Sequence, residues 1–319
     1  MPGCKLAEMR VKILGSAAGG AFPQWNCACA NCRAVRTGAF QSKPRTQTQV
    51  AISRNGDEWF LLGASPDLRA QIEANCELHP REGLRQSPIA GVALANADLD
   101  HVLGLLLLRE LQPLRVHATA SVRRILREDN SMFGMLQRIP EQVAWSDYES
   151  GAQFHLCNAR GEDSGLRCQA WSLSPHYPAY VTEERRLQMS PGEASLGFII
   201  DARAATSTDG PRLAYMPAVP ELSDQLLEQL DACDVLLFDG TFWSNDELIR
   251  VQGSGQTARQ MGHIPVEEIL VRLAELRRPR KIFLHINNTN PMLNEASREY
   301  RQVRGAGWEV AEDGWQFDL

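Results

Sequence analysis

Short apolar runs punctuate this chain at Val11–Leu14, Gln49–Ile52, Trp59–Leu62, Val92–Leu94, Leu114–His117, Cys168–Leu173, Leu196–Ile200, Leu213–Tyr215, Val235–Phe238 and Lys281–Leu284. Their length and β-branched content predict strands. Between them, longer stretches with helical spacing lie at Pro66–Glu77, Val102–Glu110, Ser121–Glu128, Leu222–Leu230, Val266–Leu276 and Asn294–Val303. The early part is rich in strands, the later part alternates strand with helix, and no Pro/Ser linker divides them. The pattern predicts one layered α/β domain. Residues Ala179–Ala194 are charged and broken by Pro191 and Gly192, and read as an excursion or lid.

Chemistry collects where the apolar runs stop. Val92–Leu94 is followed by Asn96-Ala97-Asp98-Leu99-Asp100-His101. Two carboxylates and an imidazole within four residues are what a metal needs on one short piece of backbone. The plainer alternative is an Asp capping a helix, for which one Asp suffices. Further polar groups follow other strands: Asp239-Gly240-Thr241-Phe242, His176 in Ser174-Pro175-His176-Tyr177-Pro178, and His285. His263 follows Gly262 and precedes a helix. One such His is usually structural; several at comparable edges weaken that reading. Gly15-Ser16-Ala17-Ala18-Gly19-Gly20 lacks both nucleotide-binding spacings and reads as a turn that lets backbone pass close to a site.

Eight Cys occur among 319 residues, and Cys27, Cys29 and Cys32 form a C-x-C-x-x-C cluster. In a reducing compartment this spacing favours a structural zinc, with a fourth ligand from elsewhere, over a disulfide or an unligated thiol cluster. Cys4, Cys76, Cys157, Cys168 and Cys233 are scattered and read as small core residues or harmless thiols. A net charge of −6 without a long basic run argues against nucleic acid or anionic membrane as partner. No apolar run is long enough to span a bilayer, and Met1–Arg10 has no signal-like apolar core, so a cytoplasmic location is expected. The oligomeric state stays open, a homodimer included.

The order of x-x-D-x-D-H turn, later His, Asp-Gly-Thr, Gly-His and terminal strand with His resembles the metallo-β-lactamase superfamily, whose hallmark is H-x-H-x-D-H. Within it, the segment from Gly15 to Cys29, the Asp98-x-Asp100-His101 turn and His285-Ile286-Asn287-Asn288-Thr289-Asn290-Pro291 resemble the coenzyme pyrroloquinoline quinone (PQQ) biosynthesis protein B family. The resemblance covers nearly the whole chain and implies an αββα sandwich of two mixed sheets flanked by helices, spanning 1–319 with 1–9 as an N-terminal extension.

The departures from the superfamily pattern are informative. Asn96 and Asp98 stand where two leading His would be, and Leu213–Tyr215 runs into Met216-Pro217-Ala218-Val219 without a metal-bridging Asp. What remains by resemblance is one metal site of Asp100, His101 and His285, the ligand set of the facial triad of non-haem Fe(II) oxygenases, which zinc also fits. Asp98 and His176 are expected beside the metal, as weak ligands or proton shuttles. Asp239 and His263 are expected behind it, orienting ligands or substrate. Asn288, where relatives carry a His, or a nearby Asp or water, would complete the Cys site. The family role implies hydroxylation of the tyrosyl ring of a cross-linked Glu-Tyr intermediate by Fe(II) and dioxygen. Two rivals are non-enzymatic binding and transport of PQQ or its precursor, and metal-dependent hydrolysis.

Overall fold

The computed structural model describes residues 9–39, 42–202 and 210–319. Cys4 and the expected N-terminal extension lie outside them, except Met9. Met9 is fully buried and exchanges backbone hydrogen bonds with Leu319, so the fold already includes it.

Among the described residues, fourteen strands form two seven-stranded sheets. The first contains β1 (Arg10–Gly15), β2 (Gln49–Ser53), β3 (Trp59–Leu62), β4 (Ile89–Ala93), β5 (Leu114–Ala118), β6 (Val143–Asp147) and β14 (Gln316–Asp318), in the order β14-β1-β2-β3-β4-β5-β6. The second contains β7 (Gln153–Cys157), β8 (Asp163–Ser174), β9 (Ser195–Asp201), β10 (Arg212–Met216), β11 (Val235–Asp239), β12 (Arg280–Leu284) and β13 (Trp308–Val310), in the order β13-β12-β11-β10-β9-β8-β7. Each sheet is antiparallel on one side and parallel on the other. Parallel neighbours need crossovers, and the helices that supply them cover the outer faces.

Three apolar layers result. Ile13, Ile52, Phe60, Phe198, Leu237 and Ile282 meet between the sheets. Leu14, Leu61, Val92 and Val116 turn outward onto Val122 and Ile125 of the helix Ala120–Arg127. Ala214, Leu236 and Phe283 turn outward onto Leu226, Leu230 and Ile269. A strand buried on both faces needs apolar side chains at every position, which is why β4, β11 and the Ile282–Leu284 part of β12 appear as unbroken runs. The four strands without such runs, β6, β7, β13 and β14, lie at sheet edges and are short or half exposed.

Two bridges stitch the sheets together at one edge. Asn96 pairs with Ser195 at the start of β9, and Ala17 pairs with Ile286 beyond β12. The Ala179–Ala194 excursion is packed down. Val181 and Met189 join the outer layer, the Tyr177 hydroxyl donates to Ser190 O at 2.6 Å, and the Tyr180 hydroxyl donates to Ala97 O.

Candidate metal centre

The carboxyl ends of β4, β11 and β12 deliver the polar groups to the stitched edge, as open parallel sheets do. After β4, the helix begins earlier than its apolar spacing predicts. It runs Leu99–Val102 and continues as a 3₁₀ stretch, Leu103–Leu108. Asp98 occupies the N-cap but makes no capping hydrogen bond, so its carboxylate is not spent on the helix. Asp100 and His101 fall on the first turn. Asn96 accepts the Asp98 N–H at 3.1 Å and shapes the bend.

Asp100 Oδ2 stands 3.4 Å from His285 Nε2 and 3.7 Å from His101 Nε2. Both are long for a charged hydrogen bond. Two atoms each about 2.1 Å from one ion at a tetrahedral angle stand about 3.4 Å apart. The spacing and the donor set of two imidazoles and one carboxylate therefore fit a shared cation. His101 Nδ1 is buried without a hydrogen-bond partner. A Cβ at Gly63 would stand 3.3 Å from that nitrogen, and a Cβ at Gly19 would stand 3.3 Å from Asp100 Oδ2. The glycines at these points are what allow backbone to approach the cluster.

A second layer lies behind. Asp239 is fully buried; its Oδ1 accepts from the Thr241 N–H at 3.0 Å and the Thr241 hydroxyl at 2.6 Å. Its Oδ2 accepts from the Val219 N–H at 3.0 Å and lies 2.7 Å from His263 Nδ1. The Thr241 oxygen lies 2.8 Å from His285 Nδ1. With its proton given to Asp239, that oxygen accepts from His285 Nδ1–H and leaves Nε2 bare toward Asp100. Rings of His101, His285 and His263 stack in a row, with centroids 5.5 and 5.6 Å apart. Asp239, His263 and His285 could geometrically hold a second ion. Asp239 already has its oxygens filled by four donors, which favours the orienting role over ligation.

Charges follow the geometry. Burial opposes ionisation of Asp100, yet His101 and His285 hold its carboxyl well below the usual range. Burial and the neighbouring Asp100 push Asp98 up to about 6. Burial would lower His285, but Asp100 outweighs it and raises the imidazole. Burial depresses His101 despite Asp100.

His176 does not join this cluster. It sits at the same edge beyond β8 but is exposed, and its ring is held by the Ser174 hydroxyl at 3.0 Å from Nδ1. The groove of about 360 Å³ between Ile125–Asn130 and Tyr180–Gln188 is likewise apart from the chemistry, since no metal-ligand candidate lines it.

The three sulfurs of Cys27, Cys29 and Cys32 lie within 4.8 Å of one another. The Asn288 amide nitrogen caps them at 3.2, 3.7 and 3.3 Å. Rotating the carboxamide puts Oδ1 in the same place, so the donor set fits a four-coordinate ion with Asn288 at the fourth corner. Cys29 opens the helix Ala30–Thr37, its sulfur accepting from the Cys32 N–H. Burial opposes the Cys27 thiolate, but donors from Cys29, Cys32 and Asn288 hold it below the usual thiol range; burial pushes Cys29 up to about 11.

Residues 58–286 match the family described as Beta-lactamase superfamily domain, and the chain belongs to that superfamily. Coenzyme PQQ synthesis protein B of Methylobacterium sp. (strain 4-46) is 41% identical over 314 residues, covering 98% of this chain and 100% of the relative. The protein of the same name from Rhizobium meliloti (strain 1021) is 37% identical, covering 99% of both. The chain is therefore a member of the coenzyme PQQ synthesis protein B family. The crystal structure of zinc-bound PqqB from Methylobacterium extorquens superposes with a TM-score of 0.86 at 39% identity, covering 97% of this chain and 100% of that one. A diphosphatase of the PhnP family, 18% identical with a TM-score of 0.65 over 98% of this chain and 97% of its own, shares the fold. The αββα sandwich of two mixed sheets expected from the sequence is the fold observed.

Proposed function

We propose that this protein acts in pyrroloquinoline quinone biosynthesis as an iron-dependent hydroxylase of the tyrosyl ring of a cross-linked Glu-Tyr intermediate. The observation that carries the reading is the convergence of Asp100, His101 and His285 at spacings that suit one shared ion. The names of relatives at about 40% identity supply the pathway, and the zinc-bound relative supports metal binding.

Asp100, His101 and His285 would hold Fe(II), which when bound supplies activation of dioxygen. Each hydroxylation consumes one dioxygen and takes two electrons and two protons from an external reductant, leaving one oxygen on the ring and one in water. The chain's own groups prepare the site. Asp239 and Thr241 set the His285 tautomer. Asp239 orients His263 through Nδ1, which leaves His263 Nε2 to take a proton from substrate. Asp98, raised to about 6, can hold or release a proton beside the ligands. His176, exposed at the same edge, would serve as a proton shuttle at the rim and not as a ligand. Zinc at Cys27, Cys29, Cys32 and Asn288 is structural in this reading. The single domain over 1–319 belongs to the same proposal, as does a cytoplasmic setting. Among the described residues no helix is long and apolar enough to cross a membrane.

Hydrolysis is disfavoured because Met216-Pro217-Ala218 provides no carboxylate to bridge two ions. The test is turnover under isotopically heavy dioxygen. Heavy oxygen on the product ring supports the reading. Tight binding of the quinone with no turnover favours a carrier, and unlabelled product overturns dioxygen as the source of the ring oxygen.

A further inference from the structure

The segment His285–Asn290 is gripped from two sides, and one grip is the cysteine loop. On that side the Asn288 amide meets all three sulfurs, and the Cys29 thiol approaches Asn288 O at 3.8 Å. The Asn31 amide donates to Asn288 O at 3.2 Å and to Asn290 O at 2.9 Å. On the other side the Asn287 N–H donates to Thr241 O at 3.0 Å, and the Asn290 amide donates to Gly240 O at 3.0 Å. Ile286 is fixed between Ser16 and Ala18 by two backbone bonds, at 3.0 and 2.9 Å.

His285 needs such restraint. Its φ of 57° lies in the left-handed region, which a side chain with a Cβ enters only when its surroundings hold it there. Cys27 and Cys29 are only half buried, so apolar packing does little to fix the loop that carries them. An ion bound by the sulfurs would cross-link that loop and harden its hold on Asn288.

We infer that the cysteine loop is the clamp for His285: Asn31 and Asn288 are positioning residues, and metal occupancy at the sulfurs sets the affinity of the Asp100, His101 and His285 centre. The inference rests on the reading of those three residues as a metal centre. It adds that two sites with no ligand in common are energetically coupled through residues 285–290.

The test is anaerobic Co(II) titration of the zinc-loaded protein, with the active-site metal first removed by a mild chelator. Affinity and the visible ligand-field spectrum are read for the parent protein, Asn31→Ala, Asn288→Ala and Cys29→Ser. Asn31→Ala keeps every metal-ligand candidate and is the decisive variant if Cys29→Ser fails to fold. It should weaken Co(II) binding by about tenfold to a hundredfold, the range of lost supporting contacts, and alter the spectrum, with zinc content retained. Asn31→Gln, which keeps the donor, should recover part of the affinity. Ile125→Ala, a destabilising change in the apolar layer outside the first sheet and away from the cysteine loop, should leave Co(II) affinity unchanged. Equal affinity and identical spectra in Asn31→Ala, Asn288→Ala and the parent overturn the clamp. Loss of Co(II) affinity equally in Ile125→Ala also overturns it, because the effect would then be general destabilisation. Failure of the parent to bind Co(II) at all removes the metal-centre reading instead.

Discussion

The Thr241 hydroxyl joins His285 to Asp239: its oxygen lies 2.8 Å from His285 Nδ1, and it donates to Asp239 Oδ1 at 2.6 Å. One small side chain thereby sets which imidazole nitrogen faces Asp100. Thr241→Val keeps the shape but removes the tautomer lock. It should weaken metal binding at Asp100, His101 and His285 by about tenfold to a hundredfold. Thr241→Ser should bind like the parent. Metal titration of the two variants checks this.

His101→Ala removes one of three proposed ligands. Active-site metal and oxygen-dependent turnover should both be lost, while zinc at Cys27, Cys29 and Cys32 remains. Cys29→Ser should lose zinc and, through residues 285–290, also hold the active-site metal more weakly. Elemental analysis of the two variants, with oxygen consumption, reads the outcome; full activity in His101→Ala would remove this residue from the site.

Gly19 touches Asp100 with no room to spare. The Cβ of Gly19→Ala would stand 3.3 Å from Asp100 Oδ2, so the carboxylate must shift. Metal affinity should fall by about tenfold while Tm barely changes. Unchanged affinity would mean the loop yields instead of the carboxylate.

Two buried groups outside the metal centre should make opposing contributions to stability on the acid side of neutrality. His117 is 2% exposed, and burial depresses its imidazole to about 4. Between pH 6.5 and 4 the unfolded chain binds a proton that the folded one refuses. Stability from this residue is therefore present above 6.5 and lost as pH falls, to the extent of about 3 kcal/mol. Glu247 is 4% exposed and burial raises it to about 7. Here the folded chain keeps a proton that the unfolded one releases, so stability falls by about 3 kcal/mol as pH rises from 4.5 to 7. Denaturant unfolding between pH 4 and 7 should show His117→Gln losing the rise of stability with pH and Glu247→Gln losing the opposing fall.

Much of this was legible in the chain because strands buried on both faces leave unbroken apolar runs. Trp59–Leu62 is a strand with the bounds its pattern predicts, and Val235–Phe238 and Lys281–Leu284 deliver Asp239 and His285 as expected. Edge strands such as Trp308–Val310 and Gln316–Asp318 have no such run to read. The helix at Leu99 starts before the apolar face does, because Asp100 and His101 occupy its first turn for reasons other than packing. His176 follows a strand like the others, yet local order cannot reveal that its ring turns to Ser174. The pairing of Asp239 with His263 and the roles of Thr241 and Asn31 depend on contacts between distant segments. Only the Asp-Gly-Thr after an apolar run hinted at Thr241.

The most direct measurement is oxygen uptake by the Fe(II)-reconstituted protein with a tyrosine-containing cross-linked substrate and a reductant, with mass spectrometry of the product. The account predicts uptake matched by oxygen gained on the ring, both lost in His285→Ala. Absence of uptake in the iron-loaded protein, or equal uptake in His285→Ala, would contradict it.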